Sequence, residues 1–344
     1  MNNVLIVSLN SGGTMGHGKI IAYLSNSLAN SKKNVIIASE TNFAHFFNFD
    51  EKCKKIILPK TKHVNYTLGG MYDYKQKGKI LEILEEKKID CVIFSTFFDP
   101  DLVREIKKRN IRVILISYPI RDTFRQALIN NKVYSLFDKI VSLYDPSVNQ
   151  RALNNEIIVN PLKAVMNIPK GKQTIDILLT CGGGGRPSSK IFINKSFSAL
   201  KPILKEKENL KAFLIKGNSR TKKIVRGVES INWSKKFDEI IAFSKIIISE
   251  AGYFTMLDLI NHNKSAILIP GERIIDNQEL RALTIEGLGL GRVFFPFEKK
   301  QKLTQIIQES LDGLGEDRST KFNEIKKKFS KHKEIIAAVL RELK

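Results

Sequence analysis

The chain has 344 residues, 42% of them hydrophobic, which exceeds one ordinary core and suits two α/β domains. No run of about 18 or more uncharged apolar residues occurs, which argues against a membrane-spanning helix, and no basic, apolar, cleavable preamble precedes the first strand, so no secretory signal is expected. Cys53, Cys91 and Cys181 are odd in number and widely spaced; this speaks against a disulfide framework or metal-ligand spacing and for a reducing cytoplasm. The net charge of +22 attracts polyanions: nucleic acid, anionic lipid headgroups or phosphorylated substrates. Lysines scattered along the whole chain are also what a lysine-rich proteome yields. Clusters such as "KQKGK" and "KKKFSKHK" would touch an anionic membrane surface if they share a face.

In chain order, the apolar run Val4–Leu9 predicts a first strand, ended by the glycine cluster "SGGTMGHG" with His17 inside it. A helix follows over Lys19–Ala29. Strands are expected at Val35–Ala38, Lys55–Leu58, Cys91–Ser95, Val113–Ser117 and Ile140–Leu143, with helices at Gly78–Lys87 and Asp101–Lys108 among them. That alternation implies a parallel sheet with crossover helices. The aperiodic stretch "NNEIIVNPLKAVMNIPKGKQT", with two prolines and a glycine, reads as an interdomain linker. A second series has strands at Ile175–Thr180, Ala212–Ile215, Lys245–Ser249, Ala266–Ile269 and Arg292–Phe295, and helices after Ser188, Gly252 and Asp276. Phe322, Ile325, Phe329, Ile336, Val339 and Leu343 recur at helical spacing, so one long final helix is expected. Ligands of such sheets bind beyond the carboxyl ends of the strands, where both glycine clusters fall.

The first cluster lacks the register of the dinucleotide fingerprint and the Gly-Lys-Ser/Thr of a Walker loop. Two readings stand: a tight strand-to-helix turn with His17 as an exposed helix cap, or a turn whose backbone approaches a ligand. The second cluster, Gly182, Gly183, Gly184 and Gly185 followed by Arg186 and Ser188–Ser189, reads as a phosphate site. Its backbone N–H groups, a serine cap, the helix dipole and Arg186 all favour an anion. A third element, "SKIIISEAGYFTMLDLINHNKSAILIPGERIIDNQELRALTIEGLGLGRVFF", combines a strand ending at Glu250-Ala251-Gly252, a helix carrying Thr255 and Asp258, and a polar loop through Asp276, Asn277, Gln278 and Glu279. Carboxylates and amides there suit the hydroxyls of a polyol.

"SGGTMGHG" resembles the Gly-Gly-Thr-Gly-Gly-His turn of MurG-type N-acetylglucosaminyltransferases, with Met15 in place of one glycine. "EAGYFTMLDL", "ILIP" and "DNQELRA" are similar to the donor-binding segment of that superfamily. "GYFTMLDLI…DNQELRALTIEGLGL" looks closer still to a branch of MurG-like glycosyltransferases that also carries a pair like Arg121-Asp122. The resemblance implies an α/β fold of GT-B type: two Rossmann-like doubly wound domains facing a central cleft. Residues 1–158 would form the acceptor-binding domain and 170–321 the nucleotide-sugar domain, with the helix at 322–344 packing back on the first. It also implies roles. His17 would be the general base. Gly182 to Gly185, Arg186 and Ser188 would cradle the diphosphate. Gly252, Tyr253, Phe254, Thr255 and Asp258 would bind nucleotide, with Asp258 on the ribose. Asn277 and Gln278 would hold the donor sugar. Gly13, Thr14, Gly16, Arg121 and Asp122 would contact acceptor or phosphate. Glu250 stands where many relatives have arginine, and "GGGGR" lacks the family's Ser-Gln.

The reaction implied is transfer from a UDP-sugar, used as co-substrate with no cofactor and no metal, to an acceptor hydroxyl, by one inverting displacement. Histidine suits the base because its unperturbed pKa of about 6.5 lies near working pH. Asp99-Pro100-Asp101 looks like a metal-binding Asp-x-Asp but reads better as a helix start. His45, His63, His262 and His332 lack ligand spacing. Trp233 is expected in a core rather than against uracil. Phe43, Phe46, Phe47, Phe49, Tyr66, Met71, Tyr72 and Tyr74, mixed with lysines, suit either core and loop or an anionic lipid interface, which would fit a lipid-linked acceptor and a place on the inner membrane face. Two rivals remain: a nucleotide-sugar hydrolase or epimerase on the same fold, and a non-enzymatic basic protein binding nucleic acid, which leaves the glycine turns unexplained.

Overall fold

The computed structural model describes residues 2–8, 15–59, 74–162, 174–219, 221, 225–273, 275–313 and 318–343. They form two compact units. In the first, β1 (Asn3–Ser8), α1 (Met15–Asn30), β2 (Asn34–Ser39), β3 (Lys54–Ile57), α2 (Tyr74–Lys87), β4 (Cys91–Ser95), α3 (Pro100–Lys108), β5 (Arg112–Ser117), α4 (Asp122–Asn130), β6 (Lys139–Leu143) and β7 (Glu156–Asn160) follow one another. The second runs through β8 (Ile175–Thr180), α5 (Pro187–Glu206), β9 (Ala212–Ile215), β10 (Val228–Ile231), α6 (Phe237–Ala242), β11 (Ser244–Ser249), α7 (Tyr253–Asn261), β12 (Ala266–Leu268), α8 (Gln278–Gly287), β13 (Gly291–Val293), α9 (Lys300–Asp312) and α10 (Ser319–Ser330). The chain then returns to the first unit with β14 (Lys333–Glu334) and α11 (Ile335–Glu342).

The first sheet has eight parallel strands in the order β14-β7-β6-β5-β4-β1-β2-β3; the second has six in the order β10-β9-β8-β11-β12-β13. Strands covered on both faces read as continuous apolar runs, and the central strands do. Val4 to Val7, Cys91 to Phe94 and Val113 to Ile116 are all buried. One core gathers Leu5, Val92, Phe94, Leu115 and Ile140 beneath α2 and α3. Another gathers Ile177, Leu179, Phe192, Leu200, Ile248 and Phe294 beneath α5 and α9. Strand order reverses direction beside β1, between β2 and β4, and beside β8, between β9 and β11. In doubly wound sheets those switch points open a crevice at the carboxyl ends.

Several boundaries differ from the sequence expectation. The stretch read as a linker contains β7, which pairs with β6 and carries the first unit past residue 158; residues 163–173 of that stretch lie outside the described residues. The final segment is not one helix. α10 stops at Ser330 and stays with the second unit, and only the part from β14 onward packs on the first sheet, with Lys333 and Glu334 in register with Val159 and Asn160. Lys331 to Lys333 break the apolar spacing at that point, so a two-residue strand interrupts the helical phase.

Candidate active site

At the first switch point β1 ends in Ser8 and α1 begins at Met15; Gly13 and Thr14 lie outside the described residues. Gly16 and His17 are the second and third residues of α1. His17 is not an exposed cap. It is 8% exposed, with its ring 5.4 Å from that of Phe97 at 27° and 4.6 Å from that of Tyr118 at 44°. Phe97 follows β4 and Tyr118 follows β5, so three adjacent strands β1, β4 and β5 send one ring each to the same place. Phe97 is delivered by a strained residue. Thr96 has φ +67°, a region that costs a β-branched residue on the order of 1–3 kcal/mol, and its N–H donates to the carbonyl of Ile116 at 2.9 Å. The Tyr118 hydroxyl stands 3.4 Å from Ser95 Oγ, and burial pushes its phenol well above the ordinary value, so it stays protonated.

Gly18 in α1 answers packing rather than chemistry: a Cβ there would meet Phe43 Cδ1 and Phe47 Cε2 at 2.5 Å. Phe43 is buried, and Phe46, Phe47 and Phe49 are partly buried, Phe49 beneath Lys55 Nζ at 5.7 Å. Phe43 and Phe47 thus pack against α1, and Phe49 beneath β3. Tyr66, Met71 and Tyr72 lie outside the described residues. Arg121 is the N-cap residue of α4 and Asp122 its exposed first residue, favourable at the positive end of the helix dipole. Asp99 caps α3, accepting from Leu102 N at 2.9 Å, with Pro100 at the first position; Lys77 pairs with its other oxygen at 2.9 Å.

At the second switch point the glycines are locked to one another. Gly182 (φ +56°) and Gly184 (φ +67°) need the left-handed region, as does Gly217 (φ +57°) beyond β9. A Cβ on Gly184 would fall 2.0 Å from the Lys216 carbonyl, and one on Gly217 2.5 Å from that of Gly182. Asn218 N donates to Gly183 O at 2.8 Å, Gly184 N to Cys181 O at 3.1 Å and Gly182 N to Thr180 Oγ1 at 3.3 Å. Two of the four N–H groups expected to face an anion are therefore spent within the turn. At Gly184 and Gly217 glycine is required by backbone lying on backbone.

α5 begins here, with Pro187 in its first turn and no side-chain cap from Arg186. Ser188 and Ser189 do not cap it either. Ser188 Oγ donates to Glu250 Oε1 at 3.1 Å and accepts from Arg273 Nη1; Ser189 Oγ lies 3.5 Å from both Glu250 oxygens. Glu250, directly after β11, is 4% exposed and pairs with Arg273 Nη2 at 2.9 Å. Desolvation raises its carboxyl above the usual range, against the pull of Arg273. Burial and the Glu250 charge push the adjacent Cys181 thiol up to about 12.

α7 starts behind Gly252, which offers no side-chain cap. Cβ atoms built on Gly182 and Gly252 would stand 4.0 and 3.7 Å from Thr255 Oγ1, so that hydroxyl sits beside both turns. Tyr253, Phe254 and Asp258 belong to a helix whose every residue is buried, Asp258 at 2% exposure. In the loop after β12, Gln278 Oε1 accepts from Gly271 N at 2.9 Å and Asn277 Oδ1 caps α8 at 3.2 Å from Leu280 N. Asp276, expected to receive ligand hydroxyls, instead accepts from Arg281 Nη2 at 2.7 Å. Arg281 is 1% exposed, donates to Ala251 O at 2.9 Å and lies 5.4 Å over the Tyr253 ring, so it ties α8 to the start of α7. Trp233 is half-buried, stacked on Phe237 at 5.0 Å. Among the described residues no group of three or more His, Cys, Asp or Glu is placed to hold a metal ion.

Residues 178–339 match the glycosyltransferase family 28 C-terminal domain, a span that covers the second switch point from β8 onward. The chain is 24% identical over 208 residues to the UDP-N-acetylglucosamine--N-acetylmuramyl-(pentapeptide) pyrophosphoryl-undecaprenol N-acetylglucosamine transferase of Thermoanaerobacter sp. (strain X514), and equally to that of Thermoanaerobacter pseudethanolicus (strain ATCC 33223 / 39E). Each match covers 54% of this chain and 56% of the relative, so the chain spans about half the length of the curated relatives it matches. Over the whole chain, and the whole of the other, it resembles MurG of Acinetobacter baumannii with a TM-score of 0.62 at 11% identity. Spinosyn rhamnosyltransferase SpnG complexed with thymidine diphosphate gives 0.67 at 12%, again over 100% of both chains. Glycosyltransferase VinC in complex with dTDP gives 0.68 at 12% over 98% of both. The whole chain thus has the GT-B fold of these structures, and its second half matches a glycosyltransferase family 28 domain.

In this GT-B chain the expected donor residues gather at the carboxyl edge of the second sheet, and His17 and Arg121 stand at that of the first. Sequence reasoning missed Phe97, Tyr118, Glu40 and Gln76 on the first edge and Arg273 and Arg281 on the second. Glu40, next after β2 and 8% exposed, receives Gln76 Nε2 at 2.6 Å. Four of the six had a usable signal. Glu40, Phe97, Tyr118 and Arg273 fall within a few residues of a strand's carboxyl end, which is where such sheets carry their function.

Proposed function

We propose that this protein is a glycosyltransferase that moves a sugar, an N-acetylhexosamine or hexose, from a UDP-sugar to an acceptor hydroxyl with inversion. One observation carries the reading: the span matching the glycosyltransferase family 28 C-terminal domain contains the switch point where the Gly182 turn and Gly252 flank Thr255 at the start of α7. Helix N-termini favour a diphosphate, and fixed dipoles of that kind stabilise charge on it as it departs. The acceptor oxygen forms a bond to the anomeric carbon as the bond from that carbon to the diphosphate oxygen breaks. His17 takes the acceptor's proton. The packing of its ring between Phe97 and Tyr118 supports this role, since a base held by its neighbours is oriented before substrate arrives.

The Thermoanaerobacter relatives are named for a lipid-linked acceptor, and we extend that class of acceptor to this protein. No described helix is long and apolar enough to cross a membrane. Contact with a lipid-linked acceptor would then be peripheral, on the inner membrane face, helped by the +22 charge against anionic headgroups; no nucleic-acid partner is proposed.

A thermal-shift comparison of UDP, GDP, dTDP and their sugars tests the donor. At about 100 times its dissociation constant, UDP is expected to add about 2.7 kcal/mol of stability. No shift with any nucleotide would overturn the donor assignment. UDP released from a UDP-sugar at full rate without any acceptor would replace transfer by hydrolysis.

A further inference from the structure

We infer that Arg273 is the side-chain cation for the donor's diphosphate and that Glu250 is its internal competitor. The inference rests on the donor reading above and names a residue for it. Three neighbouring strands send groups to one point: Ser188 from the start of α5 behind β8, Glu250 from the end of β11, and Arg273 from the loop after β12. The guanidinium is already at the start of α5, with Nη1 on Ser188 and Nη2 on Glu250. This helix is 20 residues long and has no side-chain cap, so its positive end favours an anion. The anion that occupies the neighbourhood is Glu250.

The two partners are not held alike. The Glu250 side chain is 4% exposed and the Arg273 side chain 17%. The loop backbone presses on the carboxylate side, since a Cβ on Gly271 would meet Ser188 Oγ at 2.9 Å and Glu250 Oε1 at 3.0 Å. The arginine is the more exposed of the two and the one placed to turn toward a ligand, in exchange for its bonds to Ser188, Glu250 and the Glu272 carbonyl. A planar guanidinium binds a phosphate in the same two-pronged way as a carboxylate, and a diphosphate brings more charge to the exchange. If Arg273 moves, Glu250 is left buried beside the Ser188 and Ser189 hydroxyls and the neutral Cys181 thiol, without that cation. A carboxyl in that setting takes up a proton. Donor binding is thereby coupled to proton uptake, and affinity rises as pH falls through the range where Glu250 is ionised before binding and protonated after it.

Calorimetric titration of UDP into the full chain and into Glu250→Gln, Arg273→Gln and the double variant, between pH 5.5 and 8.5, tests this. Glu250→Gln should bind UDP several-fold more tightly at pH 7.5, and Arg273→Gln about tenfold more weakly. The double variant should lose the gain, and Glu250→Gln should lose the part of the pH slope that exceeds the titration of UDP itself. Thermal melts confirm folding, and Arg273→Lys, which keeps a charge without the fork, should fall between wild type and Arg273→Gln. Wild-type protein that binds no nucleoside diphosphate overturns the donor reading. Binding by the wild type that weakens in both single variants, or a Glu250→Gln gain that survives loss of Arg273, overturns the competition alone.

Discussion

The two switch points of this molecule are built on opposite plans. At the first, side chains occupy the carboxyl edge: His17, Phe97 and Tyr118 pack ring on ring. At the second, backbone occupies it: the turns at Gly182–Gly184 and Gly217 interlock, and two charges at the start of α5, Glu250 and Arg273, pair with each other. The difference fits the two tasks proposed for them. Moving one proton needs a titratable group in a fixed pose, whereas holding a diphosphate needs many donors and a cation able to change partner. Glycine at both edges also serves packing that neither task requires. Gly18 admits Phe43 and Phe47, and Gly184 admits the Lys216 carbonyl.

The sharpest way to break the comparison is to remove the first plan's titratable group. His17→Ala should lower the transfer rate by about 10²–10⁴-fold, the range of a general base, while the UDP-induced thermal shift stays at its wild-type size. Steady-state transfer assays and melts with UDP read the two separately. Transfer at near wild-type rate would remove His17 from the chemistry, and a lost UDP shift would make it part of the donor site.

A smaller effect, in the second plan, is expected for Gly184→Ala. The substituent would meet a backbone carbonyl at 2.0 Å with φ at +67°, and neither can give cheaply. A loss of about 3 kcal/mol is expected. Trp233, the sole tryptophan, lies in the second unit, so its fluorescence in a urea titration reports that unit directly. Wild-type stability with weakened UDP binding would return the glycine run to its sequence-based reading as a ligand cradle.

That reading shows what the sequence can and cannot disclose. Central strands were legible because burial on both faces writes unbroken apolar runs such as Val4–Val7 and Ile246–Ile248. Two strands at or next to a sheet edge were not. "VESI" at β10 has two exposed residues of four, and β7 hides in a stretch marked by proline. Motifs placed the second glycine turn and the start of α7 along the chain, but not what they touch, and His17, read as lying ahead of the first helix, is the third residue of α1. Gly184 meets a residue 32 positions on, and Glu250 meets one 23 positions on. Local pattern carries propensity and period; it does not carry which distant loop arrives to fill a space. Hence Ser188 reads as a helix cap in sequence and proves to be the hinge of a buried ion pair.

The least disruptive probe concerns what Tyr118 contributes to the first plan, its ring or its hydroxyl. The hydroxyl is 3.4 Å from Ser95 Oγ, a weak bond, and burial keeps the phenol protonated, so it does not ionise at working pH. The ring stands 4.6 Å from the imidazole of His17, within the range where paired aromatic faces are worth about 0.5–1.5 kcal/mol. Tyr118→Phe keeps that face and should change the transfer rate less than about threefold, with stability within about 1 kcal/mol of wild type. Tyr118→Leu removes the face, and it should lower kcat several-fold more than Tyr118→Phe while leaving the acceptor KM nearly unchanged. Equal loss in both variants would mean that the hydroxyl, and not the ring, sets the imidazole, and the first switch point would then rest on hydrogen bonding as the second does.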